Sequence, residues 1–68
     1  MQTFVLNRIR DISGVSGTGI VAEGIVFSNG RVVLCWVGET PSINIYNDLA
    51  SVNIVHGHRG ATQIEFTP

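Results

Sequence analysis

Asn29-Gly30, set between the apolar runs Ile20–Phe27 and Arg31–Val37, constrains this chain more than any other pair of residues. A two-residue type I′ turn needs φ > 0 at both central positions, and Asn followed by Gly meets that demand at least cost. The pair therefore predicts a β-hairpin. With a two-residue turn, Ser28 pairs with Arg31, Phe27 with Val32, Ile25 with Leu34 and Glu23 with Trp36. One face then holds Val21, Glu23, Ile25, Phe27, Val32, Leu34 and Trp36. The other holds Ile20, Ala22, Gly24, Val26, Val33, Cys35 and Val37. Neither alternates with polar residues as a half-exposed sheet does. One face should line the core, and the smaller-residue face, or an exposed strand edge, should meet a second subunit.

Further strands flank the hairpin. Thr3–Ile9 places Phe4 and Leu6 on one face and Val5 and Ile9 on the other, and a Ser- and Gly-rich loop spans Asp11–Gly19. Gly38-Glu39-Thr40-Pro41 ends the return strand. Ser42–Tyr46 is a strand with Ile43 and Ile45 on one face and Tyr46 on the Asn44 face. Asn47 or Asp48 can cap a short helix to about Val55, with Leu49, Val52 and Val55 at helical spacing and Gly57 as terminator. Thr62–Phe66 is the last strand. The expected fold is mainly β and a single domain over 1–68. A partly open SH3-like barrel is the first choice and a small five-stranded antiparallel sheet the second, each with one short helix before the last strand.

Composition says how such a fold could be stable. A chain of 68 residues buries only about 60% of its surface on folding, so small domains commonly need a staple. Cys35 is the sole cysteine, which excludes an internal disulfide and suits a reducing, cytoplasmic compartment. Met1–Arg10 does not read as a signal peptide, and no apolar run reaches the roughly 18 residues of a membrane span. Hydrophobic residues make up 44% of the chain and charged ones only 13%, against about 25% in a typical globular protein. So little polar surface points to a homo-oligomer in which copies cover each other's apolar patches. There is no lysine, and the cations are Arg8, Arg10, Arg31 and Arg59. Coating double-stranded nucleic acid takes several Lys/Arg–phosphate contacts and is disfavoured.

Three places could carry chemistry. In His56-Gly57-His58-Arg59-Gly60, an arginine between glycines offers a planar fork of donors to a phosphate, and a histidine can donate or stack. Two histidines alone do not make a zinc site, and no CxxC or HExxH accompanies them, so no metal or other cofactor is expected. In Gly14-Val15-Ser16-Gly17-Thr18-Gly19, closely spaced glycines let backbone N–H groups approach an anion, and the Ser16 and Thr18 hydroxyls could line a pocket wall. The missing lysine excludes a Walker motif, and a strand rather than a helix follows. Glu23, among apolar neighbours, must be paired, protonated or at a rim. Arg31 or Arg59 is its bland partner, and a ligand at a pocket rim the functional one. Trp36 and Tyr46 read as core or interface residues, with Tyr46 the more available for stacking. Cys35, mid-strand, reads as a structural thiol, and no nucleophile elbow is present, so the chain is not expected to be an enzyme.

The residues Ser13-Gly14-Val15-Ser16-Gly17-Thr18-Gly19, Val21-Ala22-Glu23-Gly24, Phe27, Gly30, Trp36, Gly38, Pro41-Ser42, Tyr46, Leu49, Val52, Val55-His56-Gly57-His58, Gly60, Thr62 and Phe66 form a long pattern. It resembles that of a family of short proteins of phages, bacteria and some archaea, over nearly the whole chain. Cys35 and Phe66 stand where that pattern has Arg and Trp. The resemblance implies lineage more than mechanism. In a phage, it brings forward small homo-oligomers that sequester nucleotide immune signals, an analogy of class rather than of site.

The expected function is a non-catalytic homo-oligomer that holds a small anionic ligand such as a nucleotide. Its site residues are His56, His58, Arg59, Gly60, Ser16, Gly17, Thr18, Glu23 and Tyr46. The alternatives are an SH3-like protein-interaction module with Trp36 and Tyr46 exposed in a peptide groove, and a single-stranded nucleic-acid binder, which the missing lysines disfavour.

Overall fold

The computed structural model of the chain describes residues 1–10 and 17–68, with His58 through its backbone only. Five strands and one helix run in the order β1 (Gln2–Arg8), β2 (Gly19–Val26), β3 (Val32–Trp36), β4 (Ile43–Tyr46), α1 (Leu49–His56) and β5 (Thr62–Phe66). The strands form one antiparallel sheet in the order β4-β3-β2-β1-β5. Of the two expected architectures, this is the sheet with a helix before its last strand. β4 and β5 stand at its edges and do not pair with each other to close a barrel. Most of the loop expected over Asp11–Gly19 lies outside the described residues.

The β2–β3 hairpin differs from expectation by one residue. The pairs are Val26 with Val32, Ile25 with Val33, Gly24 with Leu34, Glu23 with Cys35 and Ala22 with Trp36. Phe27 N–H donates to the Arg31 carbonyl at 2.8 Å, and Gly30 N–H to the Phe27 carbonyl at 2.9 Å. The loop is thus three residues, Ser28-Asn29-Gly30, with Gly30 alone at positive φ, 88°. This is a turn closed by a left-handed glycine bulge rather than a type I′ pair. Asn29 contributes its side chain instead, whose Oδ1 accepts the Arg31 N–H at 3.0 Å. A slip of one residue exchanges the faces of β3. Val32, Leu34 and Trp36 therefore join Ala22, Gly24 and Val26, whereas Val33 and Cys35 join Glu23 and Ile25. Both face assignments made from the two-residue turn are corrected by this register.

One face of the sheet is covered. Phe4, Leu6, Ala22, Val32, Leu34 and Val52 form its buried cluster, with Trp36, Tyr46, Leu49 and Ile64 packed around it. Phe4 lies over Gly24, its cross-strand partner, so closely that a Cβ there would clash with the tip of the Phe4 ring. The glycine makes room for the largest buried side chain.

Helix α1 supplies the cover. Asp48 is extended and caps it, its Oδ1 accepting Ser51 N–H at 2.8 Å and Ser51 Oγ–H at 2.7 Å. Both hydrogen bonds favour the ionised carboxylate and hold Asp48 below its ordinary value, with the Arg31 charge acting in the same direction. Leu49 and Val52 face the sheet as expected, but Val55 is exposed and His56 takes the inward position one turn after Val52. Gly57 ends the helix without the left-handed turn expected of it. Its φ is −68°, and it is tight against the preceding turn, where a Cβ would stand 2.5 Å from the Asn53 carbonyl oxygen. The left-handed conformations fall later, at Arg59 (φ 55°) and Gly60 (φ 91°), within a short 3₁₀ turn at His58–Gly60.

The other face has no helix over it. Cross-strand pairing sets out two rows of side chains there, Glu65–Val5–Glu23–Cys35–Ile43 and Thr67–Thr3–Ile25–Val33–Ile45. Ile43 and Ile45 on edge strand β4 are 67% and 75% exposed.

Candidate functional site

Register brings one end of the sheet together. Arg8, the last residue of β1, pairs with Gly19 on one side and Thr62 on the other. Just beyond it, the N–H groups of Ile9 and Arg10 both donate to the Ala61 carbonyl, at 2.6 and 3.2 Å. The chain leaving β1, the glycines entering β2 and the turn between α1 and β5 therefore meet at one edge. Three of the four arginines, Arg8, Arg10 and Arg59, stand at this end, while Arg31 lies by the hairpin and donates to the Asn47 carbonyl at 3.2 Å.

The 57–62 turn is tied by one acceptor. The Gly57 carbonyl receives Gly60 N–H and Thr62 N–H, each at 3.0 Å. This fixes Arg59 in its left-handed conformation, which is uncommon for a residue other than Gly, Asn or Asp. Arg59 is exposed, and among the described residues no hydrogen bond or ion pair engages its guanidinium. Beneath it, Thr62 is 2% exposed and its hydroxyl has no hydrogen-bond partner among the described residues. Gly17 and Gly19, at φ 78° and 95°, take left-handed conformations that glycine adopts without steric cost.

An aromatic cluster lies where α1 meets β3 and β4. His56 Nε2 and the Tyr46 hydroxyl are 2.6 Å apart, and which of them donates depends on the imidazole tautomer. The His56 ring meets Trp36 edge to face at a centroid separation of 4.9 Å and Tyr46 at 5.8 Å. Trp36 Nε1–H donates to Asn44 Oδ1 at 2.8 Å. At the C-terminal end of α1, His56 is also where the helix dipole favours positive charge.

The expected site is thus brought together in part. Gly17, Thr18, Arg59 and Gly60 lie at one end, whereas Tyr46 pairs with Val32 at the hairpin end and holds His56 through its hydroxyl. His58 belongs to the same turn as Arg59. Ser16 lies outside the described residues. Glu23 is on the opposite face, beside Val5 and Cys35 rather than Trp36, and among the described residues it pairs with neither Arg31 nor Arg59. Tyr46 and Trp36 are half-buried and engaged with neighbours, which corrects the expectation of an available Tyr46 and removes the exposed aromatic pair that a peptide groove needs. Arg8 and Arg10 were not singled out in the sequence. Only the placement of β1 between β2 and β5 brings them to the turn.

The open face carries a concavity of about 400 Å³, walled by Thr3, Val5, Glu23, Ile25, Val33 and Cys35 and bounded by Thr67. Among the described residues no three His, Cys, Asp or Glu side chains gather as metal ligands. No helix is long and apolar enough to cross a membrane. Over residues 1–68 the chain matches the family model described as Acb5 phage protein. No curated protein and no solved structure matches it.

Proposed function

Because this chain belongs to the Acb5 phage protein family over its whole length, we propose that it is a non-catalytic, homo-oligomeric binder of a nucleotide immune signal. The Acb designation marks anti-CBASS phage proteins, and sequestering a nucleotide signal is the role this reading assigns to the chain. The observation that carries the reading to these residues is that the backbones of Arg8, Arg10, Gly19 and the turn carrying Arg59 meet at one end of the sheet, in a chain that has only four cations. Guanidinium forks are donors a phosphate takes. The His56 ring, edge to face with Trp36 and Tyr46, is the candidate contact for a base or sugar. Sequestration needs no bond to be broken, only donors that hold the ligand. It would act inside the infected cell, where the Cys35 thiol stays reduced.

Isothermal calorimetry against cyclic and linear di- and trinucleotides tests this. One of them should bind and be recovered chemically unchanged. Arg59→Asn keeps a residue tolerant of the left-handed backbone and removes the charge, so it should weaken binding about 10- to 100-fold, the worth of a charged hydrogen bond. Its circular dichroism should match the wild type, because Arg59 is exposed. No heat with any nucleotide, or an Arg59→Asn variant that binds as tightly as wild type, would count against the reading.

A further inference from the structure

We infer that Thr62 is a further contact of the site at the arginine end, its buried hydroxyl held for a phosphate oxygen that enters beside Arg8. The inference rests on the proposed nucleotide site and names one of its inner contacts.

The Thr62 hydroxyl is costly where it stands. Thr62 is 2% exposed, and among the described residues no hydrogen bond reaches its Oγ1. Valine has nearly the same shape and would fill the same volume without a dry hydroxyl. A buried polar group left unmatched needs a reason, and a ligand atom that arrives later supplies one.

The register says which ligand atom. Phe4 and Leu6, both in the buried cluster, put the even-numbered residues of β1 on the side of α1, and Ile64, paired with Leu6, does the same for β5. Arg8 and Thr62 are the next even-numbered pair and share that side. Their neighbours on the ladder, Ile9 and Ala61, form a hydrogen-bonded pair, with Ile9 N–H on the Ala61 carbonyl at 2.6 Å. Arg8 and Thr62 therefore form the alternate kind of pair, in which side chains come closest, with Cβ atoms about 5 Å apart. Arg8 is half-buried, so the pair joins a buried hydroxyl to a cation that reaches water. A guanidinium and a hydroxyl side by side are donors matched to a phosphate oxygen.

The adjoining turn is built to shift. It is tied by one acceptor, the Gly57 carbonyl, which receives Gly60 N–H and Thr62 N–H. Gly57 and Gly60 bracket Arg59, whose φ of 55° is unfavourable for a residue with a Cβ. A shift at these glycines opens the way to Oγ1 and lets Arg59 relax. Phosphate drives it, because the bound state gains the Thr62 hydrogen bond and the free state lacks it.

Two substitutions separate this role from packing. In urea denaturation without nucleotide, Thr62→Val should unfold at a higher midpoint than the wild type, since it keeps the volume and removes the unmatched hydroxyl. In calorimetry against the same cyclic and linear di- and trinucleotides, it should nonetheless bind about tenfold more weakly, and Thr62→Ser should stay within about threefold of the wild type. A lower midpoint for Thr62→Val would show that the hydroxyl has a partner within the chain. Equal affinity of Thr62→Val and the wild type would show that no ligand atom reaches it. Either result overturns the role of Thr62 alone and leaves the site itself to Arg59→Asn. A wild type that binds no nucleotide overturns this inference together with the proposed function.

Discussion

The two faces of this sheet are made from similar residues and end in different states. On the covered face, Val32, Leu34 and Ala22 are fully buried, and Phe4 occupies the space that Gly24 leaves. Of the polar atoms there, Trp36 Nε1 is tied to Asn44 and the Tyr46 hydroxyl to His56, while the Thr62 hydroxyl has no partner among the described residues. On the open face, the neighbouring strand positions Ile25, Cys35, Ile43 and Ile45 are exposed. Alternation along a strand separates them, since successive side chains point to opposite faces. One short helix can cover one face. The first face supplies the core of the single chain, and the second carries exposed apolar side chains with no helix over them.

Substitutions on the covered face should have the largest effects. Leu34→Ala removes a fully buried side chain and should cost about 2–5 kcal/mol, comparable to the whole stability of a small domain. In urea denaturation it should shift the midpoint strongly, whereas Ile45→Ala should shift that of the single chain by less than about 0.5 kcal/mol. Equal effects would erase the distinction between the faces. Gly24→Ala forces the Phe4 ring to move and should cost about 1–3 kcal/mol, although it adds one methyl group. A neutral result would mean that the ring is not held over the glycine. The smallest effect concerns the cover itself. The Asp48 carboxyl is held below its unfolded value, so it contributes stability above that value and loses it as pH falls through the lower, folded one. Acid should therefore weaken the start of α1 in the wild type and do so less in Asp48→Asn, read by helical circular dichroism between about pH 5 and pH 2.

Much of the fold is legible in the sequence because its signals are local. Each strand lies within a residue or two of the place that apolar runs and turn residues predict, and Asp48 caps the helix as a short acceptor before an apolar run should. The hairpin register was not legible. Asn29-Gly30 suits both a two-residue turn and a three-residue loop, and the choice depends on whether one or both residues take positive φ. Packing of Phe4 on Gly24, between strands distant in sequence, favours the second. The inward turn of His56 in place of Val55 has a similar cause, since Trp36 and Tyr46 offer it an aromatic and a hydrogen-bonding partner that only the folded sheet presents. At the candidate site, the turn around Arg59 was legible from its own residues. Arg8 and Arg10 were not, because their closeness to it depends on β5 returning beside β1.

Native mass spectrometry of the protein purified from its host, under conditions that keep non-covalent contacts, tests the central claim most directly, because it reads subunit count and retained ligand together. Expected is more than one chain carrying added mass equal to a nucleotide, with the added mass lost in Arg59→Asn. A bare single chain at micromolar concentration would contradict both the assembly and the nucleotide site at the arginine end.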